Sequence, residues 1–139
     1  MADDRSFHLE IVSPDRIFYE GPATMLEITT TEGEIGILKG HIPLTAMIKP
    51  CIANIKNGEE NKQAAVHDGF IEILQDKVVV LSESCEWPEE IDLNRAREAQ
   101  IRAERRLKGH ESGINVARAE LALRKSLIRI ELAEGKNNK

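Results

Sequence analysis

Three kinds of side chain in this sequence could do chemistry. The thiols are Cys51 and Cys85, and the imidazoles are His8, His41, His67 and His110. The guanidinium groups crowd into one stretch, PEEIDLNRAREAQIRAERRL, at 88–107. Two cysteines match no metal-ligand spacing and read as reduced thiols, with a disulfide as the alternative. The histidines are scattered, with no pair at the spacing of metal ligands. There is no nucleophile elbow, no Walker-type phosphate loop and no dinucleotide fingerprint. No catalytic residue and no metal site emerges, which argues against an enzyme acting on its own. Arginine forks do recognise carboxylates and phosphates, so the arginines are where this chain would meet an anion. Nucleic acid is a poor fit. Trp87 is the last aromatic of the chain, so the basic part has nothing on which bases could stack.

Charge divides the elements that must carry these groups. The 139 residues carry a net charge of −5, but residues 1–90 sum to −10 and residues 91–139 to +5. Opposite fields on two parts imply two different partners, or a tail that folds back on its own body. No apolar run reaches the ~18 residues of a membrane span. The acidic start, MADDRSFHLE, lacks a signal-peptide core and resembles no transit peptide, so a cytosolic protein is expected.

The first part reads as an all-β sandwich or barrel. Phe7, Leu9 and Ile11 alternate with polar neighbours, as do Leu26 with Ile28 and the series Ile42, Leu44, Ala46, Ile48. Further short runs lie at 52–55, 64–66, 70–74 and 78–81, and the spacing between runs is nearly regular. Turn signals fall at Ser13-Pro14-Asp15, Glu20-Gly21-Pro22, Glu32-Gly33-Glu34, Asn57-Gly58 and Gln75-Asp76. Pro43 and Pro50 suit strand ends or edges. Gly33, Gly36 and Gly40 are expected at positive φ.

After an acidic joint at 83–90, Asp92 is the expected N-cap of a helix. Ile91 and Ala96 would form a weak hydrophobic staple. Leu93, Ala96, Ala99, Ala103 and Leu107 make an apolar stripe whose alanines invite close approach by another helix. Residues 108–111 read as a stop. Ser112 is the expected cap of a second helix reaching about Ala133, with Val116, Ala119, Leu123, Leu127 and Ile130 as its stripe. The pair is an αα-hairpin, and the boundary between the two parts is set at 87/88. The final GKNNK is expected to fray.

Four stretches resemble one family in order: EGEIGILKGHIPL (32–44), AAVHDGFIEI (64–73), VVVLSESCE (78–86) and IDLNRA (91–96). Together they resemble the epsilon subunit of F-type ATP synthases, over about residues 6–133. One departure is Lys39, where the family usually has proline. The resemblance implies a sandwich of about ten strands followed by a two-helix hairpin, in a non-catalytic subunit of the central rotor. The sandwich would bind the gamma subunit and the c-ring and couple proton or sodium flow to ATP synthesis. The hairpin would lie folded, or extend into the alpha/beta hexamer and block hydrolysis. The membrane would be met only through the complex, on the cytoplasmic face of a bacterial cell membrane. The competing reading is a stand-alone sandwich adaptor with a helical dimerisation hairpin.

The same resemblance assigns residues. Glu34 and His41 would face the c-ring. Arg105, Arg106 and Lys108 would be the inhibitory contacts of the extended hairpin. No cofactor is obligatory, but ATP is implied as a regulatory ligand of the folded hairpin, held by Glu86, Asp92, Arg95, Arg102, Lys125 and Arg129. Lys125 replaces an arginine and so offers charge without the fork. Arg95 and Arg102 are two turns apart, and Lys125 and Arg129 one turn, so each pair shares a helix face. The plainer alternative makes Asp92 only a cap and the arginines a solvated face of i,i+4 pairs such as Glu98–Arg102 and Glu120–Arg124.

Overall fold

The computed structural model describes residues 4–109 and 115–137. The chain divides into two compact units, one ending at Glu86 and one beginning at Trp87.

The first unit contains β1 (Phe7–Ser13), β2 (Arg16–Ala23), β3 (Met25–Thr30), β4 (Gly33–Ile37) and β5 (Leu44–Ile48). It continues with β6 (Cys51–Asn57), β7 (Glu60–Val66), β8 (Gly69–Ile73), β9 (Lys77–Ser82) and β10 (Cys85–Glu86). Their order is β10-β7-β6-β3-β5-β8-β9-β1-β2, with β4 on β3. Among the described residues, every pairing is antiparallel except β1 with β9. The sheet folds over on itself as a sandwich close to a barrel. Alternation decides what enters the core: Leu9, Ile11, Leu26, Ile37, Ile71 and Val80 are fully buried.

Several turns form as the sequence predicts. Pro14-Asp15 joins Ser13 to its partner Arg16, and the Ser13 hydroxyl donates to Asp15 Oδ1 at 2.7 Å. Gly58-Glu59 joins the paired Asn57 and Glu60. Glu20-Gly21-Pro22 does not turn. It lies inside β2, where Gly21 faces Leu9 and Pro22 faces His8. β2 ends the strand order, so its proline removes no ladder bond that a further strand would need. Gly33 and Gly40 take positive φ, at 123° and 84°. Gly36 instead pairs with Glu27 inside β4, where an added Cβ would come within 2.8 Å of the Met25 methyl. The run at 42–48 is strand only from Leu44, and Ile42 is 74% exposed. Cys51 and Cys85 are both free and buried. Each is in register with Val66, from opposite sides of β7. Two strand spacings put their Cα atoms about 9–10 Å apart, too far for a disulfide.

The second unit opens with a short 3-10 turn at Pro88–Glu90, followed by α1 (Leu93–Gly109) and α2 (Val116–Asn137). Asp92 caps α1: its Oδ1 accepts the Arg95 N–H at 3.2 Å and its carbonyl accepts the Ala96 N–H at 3.0 Å. Ser112, His110 and Glu111 lie outside the described residues. The observed cap of α2 is Asn115, whose Oδ1 accepts the Arg118 N–H at 3.1 Å. α2 runs on through Gly135 to Asn137, one turn beyond Ala133 and into the segment expected to fray.

Candidate functional site

The cationic side chains of α1 and α2 are placed by the seam between the helices. Ala96 and Ala103 are the buried residues of α1. On α2 the buried positions are Ala119, Ser126, Leu132 and Ala133. Val116 and Leu127, expected in the stripe, are 54% and 44% exposed. Ser126 takes the inward place that Leu127 was expected to fill, and it returns its hydroxyl hydrogen to the Leu123 carbonyl at 2.7 Å. A hydroxyl satisfied in this way can sit opposite alanine without an orphaned polar atom.

Each helix residue advances about 100° around the axis. With Ala96 as the inward direction of α1, Arg95, Arg102 and Arg106 fall roughly 80–120° to one side. With Ser126 as the inward direction of α2, Arg118, Lys125 and Arg129 fall roughly 60–100° to the same rotational side. Facing antiparallel helices bring equal offsets onto one rim of their seam. The Arg97–Glu134 ion pair, at 3.6 Å, fixes the antiparallel pairing and marks the opposite rim. Counting five residues along each helix from that pair brings Arg102 level with Arg129. Counting nine brings Arg106 level with Lys125. Glu98, Glu104, Glu120, Glu131 and Glu134 lie on the other rim or point outward. Past the Asp92 cap, the charged residues on the described part of this rim are therefore all basic.

This geometry puts Arg95, Arg102, Lys125 and Arg129 on one edge. It also adds Arg106, which the sequence reading had placed with the inhibitory residues. The clue was available, because 95, 99, 102 and 106 repeat at helical spacing. Arg105 points away from the seam and Lys108 lies towards the other rim. Lys125 and Arg129 are half-buried, whereas Arg95 and Arg102 are exposed.

Glu86 belongs to the first unit. It is the last residue of β10, in register with Ala65. Its Oε1 lies 3.0 Å from His67 Nε2. His67 is fully buried, and its Nδ1 has no hydrogen-bond partner. The sequence offered no sign of this pair, because 19 residues separate the two.

Glu34 and His41 are not brought together. Glu34 is exposed near the start of β4, opposite Thr29. His41 follows the far end of β4, in a turn closed by its N–H on the Leu38 carbonyl at 3.1 Å. His41 lines a shallow groove with Leu38 and Leu74, both exposed apolar residues, as is Ile42.

Among the described residues, one group could offer three ligand atoms to a metal: His8, Glu10 and Glu20 on β1 and β2. His8 Nε2 lies 3.2 Å from Glu10 Oε1 and 3.7 Å from Glu20 Oε2, contacts between neighbouring side chains that need no metal. Burial pushes the Cys85 thiol above its usual range, so it is a poor nucleophile.

Two family models cover the chain. The beta-sandwich domain of the ATP synthase Delta/Epsilon chain matches residues 6–88, and its long alpha-helix domain matches residues 89–134. The ATP synthase epsilon chain of Caldanaerobacter subterraneus subsp. tengcongensis is 45% identical over 131 residues, covering 94% of this chain and 95% of that one. The epsilon chain of Halalkalibacterium halodurans is 41% identical, covering 92% and 97%. A chain of the Euglena gracilis mitochondrial ATP synthase, solved as OSCP/F1/c-ring, superimposes with a TM-score of 0.81 at 22% identity, covering 96% of this chain and 84% of that one. The last likeness concerns the fold, while the first two carry sequence as well. The chain belongs to the epsilon chains of the ATP synthase Delta/Epsilon family.

Proposed function

We propose that this chain is the rotor-stalk subunit that couples ion-driven rotation to ATP synthesis and restrains ATP hydrolysis through its hairpin, with ATP as the ligand of the folded hairpin. An epsilon chain is a structural and not a catalytic subunit. The observation that carries the nucleotide part is the basic rim. Arg102 level with Arg129, and Arg106 level with Lys125, place like charges at the same heights on one edge. A triphosphate supplies the opposite charge, and guanidinium forks bind its oxygens bidentately.

The exposed apolar residues Leu38, Ile42 and Leu74 around His41 support a packed joint at that end of the sandwich. Gamma and the c-ring are the partners this reading assigns to the sandwich. No helix among the described residues is long and apolar enough to cross a membrane, which agrees with a peripheral subunit. Arg105 and Lys108, off the rim, remain the residues proposed to meet the alpha/beta hexamer. The stand-alone adaptor finds no support in a family match that runs almost the whole chain.

Calorimetric titration of ATP into the isolated chain tests the nucleotide part. Saturable heat is expected, accompanied by a fluorescence change at Trp87, whose backbone N–H donates to Glu90 Oε1 at 2.8 Å. No heat and no fluorescence change at millimolar ATP would leave Asp92 as a cap only.

A further inference from the structure

β1 and β2 carry a cluster of three donor side chains within the first unit. His8 and Glu10 are two residues apart on β1, so both point to the outer face of the sheet. Leu9 and Ile11, which alternate with them, are fully buried. Glu20 on β2 stands directly opposite Glu10. Two carboxylates in direct cross-strand register repel each other. Among the described residues, the ion pairs of both run to His8. Lys77 is in register with His8, but it lies on β9, on the side of β1 away from Glu20. Each contact of His8 needs no metal by itself; the set of three is harder to satisfy. A proton on Nε2 can serve Glu10 at 3.2 Å, whereas Glu20 Oε2 at 3.7 Å is beyond hydrogen-bond reach. One N–H therefore serves one carboxylate of a repelling pair. A metal ion would serve all three donor atoms at once, since they lie within 4.8 Å of one another. The spacing suits one. Ligands about 2.0–2.1 Å from a tetrahedral ion stand roughly 3.3 Å apart, and two edges here are 3.2 and 3.7 Å.

We propose that His8, Glu10 and Glu20 form a site for a zinc-type divalent cation, which ties β2 to β1 at the end of the strand order. One imidazole with two carboxylates suits zinc and its transition-metal neighbours, whereas calcium and magnesium take oxygen ligands. His8 and Glu20 are exposed and Glu10 is half-buried, so water can complete the coordination. The ion acts as a staple, because a ligand that binds the folded edge and not the unfolded chain stabilises the fold. A search for paired histidines or cysteines passes over this site, since its third ligand comes from the neighbouring strand.

The test titrates zinc chloride into the full chain by calorimetry, in a buffer that does not bind metal, with magnesium chloride in parallel. The wild-type chain is compared with Glu10→Gln and Glu20→Gln, which keep the shape of each side chain and remove its charge. The wild type should bind one zinc ion through the triad and give no heat with magnesium. Each variant should bind zinc at least about 10-fold more weakly, since even partners outside the coordination sphere cost that much. Melting gives a second reading. Without metal, Glu20→Gln should melt at the wild-type temperature or above, because the repelling pair is gone. With saturating zinc the order should reverse. A wild-type chain that binds no zinc at millimolar concentration overturns the site. Zinc binding that both variants leave unchanged overturns it too, by assigning the metal to other histidines. Magnesium bound as tightly as zinc removes the imidazole from the ligand set.

Discussion

Gly69 is a position where the fold admits no side chain. It pairs with Ser82 across β8 and β9, and an added Cβ would stand 1.9 Å from the Leu81 carbonyl oxygen. The atoms it would meet, at Leu81 and Ser82, are all backbone and cannot swing away as a side chain can. Gly69→Ala should therefore destabilise the sandwich by at least about 1–3 kcal/mol, read as a lower urea midpoint. Lys39 is the opposite case. The turn from Leu38 to His41 has Gly40 third at φ 84°, which is the type II pattern with Lys39 at the position that favours proline. This departure from the family pattern thus sits where the family's proline has a physical reason. Lys39→Pro should stabilise by about 0.4–1 kcal/mol. A smaller gain would measure the bond that Lys39 Nζ makes to the Asp4 carbonyl at 2.6 Å. Neither Gly69 nor the His67–Glu86 pair was legible in the sequence, because both depend on strands brought together from distant positions. Asp92 was legible, because a cap acts on residues three and four further on.

The helices show which parts of an element a periodic pattern can give. The alanine stripe of α1 was readable, and Ala96 and Ala103 are its buried members. On α2 the reading followed hydrophobicity and chose Leu127, whereas the seam takes Ser126. Serine hides from such a search, because its burial depends on a local hydrogen bond rather than on its apolar character. The rim follows from the corrected seam and makes a sharp distinction between neighbours. Arg105 and Arg106 are adjacent in sequence, yet only Arg106 lies on the basic edge. Arg106→Gln should weaken ATP binding by about 1–3 kcal/mol, the range for hydrogen bonds to charged groups. Arg105→Gln should leave ATP binding unchanged and raise ATP hydrolysis by the assembled complex. Calorimetry and a steady-state ATPase assay on the same two variants separate the roles. Equal effects of both substitutions on ATP affinity would remove the rim as the determinant.

At the scale of the whole molecule, charge and periodicity both change at the joint, and the structure changes there too. The acidic first unit has its own closed core, built around residues such as Leu9, Ile11, Leu26 and Ile71, all fully buried. The basic second unit is a hairpin held by one small-residue seam. The sequence showed this division through net charge and a switch from alternating to helical spacing. It could not show the strand order, since the parallel pairing of β1 with β9 joins positions about 70 residues apart. Two units with separate cores should also separate in function. A chain ending at Glu86 should melt cooperatively, because β10 keeps its pairing to β7 and Glu86 keeps His67. It should still bind gamma, while the catalytic complex that contains it should hydrolyse ATP faster than one with the full chain. Binding measured by sedimentation and hydrolysis measured at fixed ATP give independent readings of the two roles. A truncated chain that folds but loses gamma would move part of the coupling surface into the hairpin. A truncated chain that binds gamma and leaves hydrolysis unchanged would remove the hairpin from inhibition.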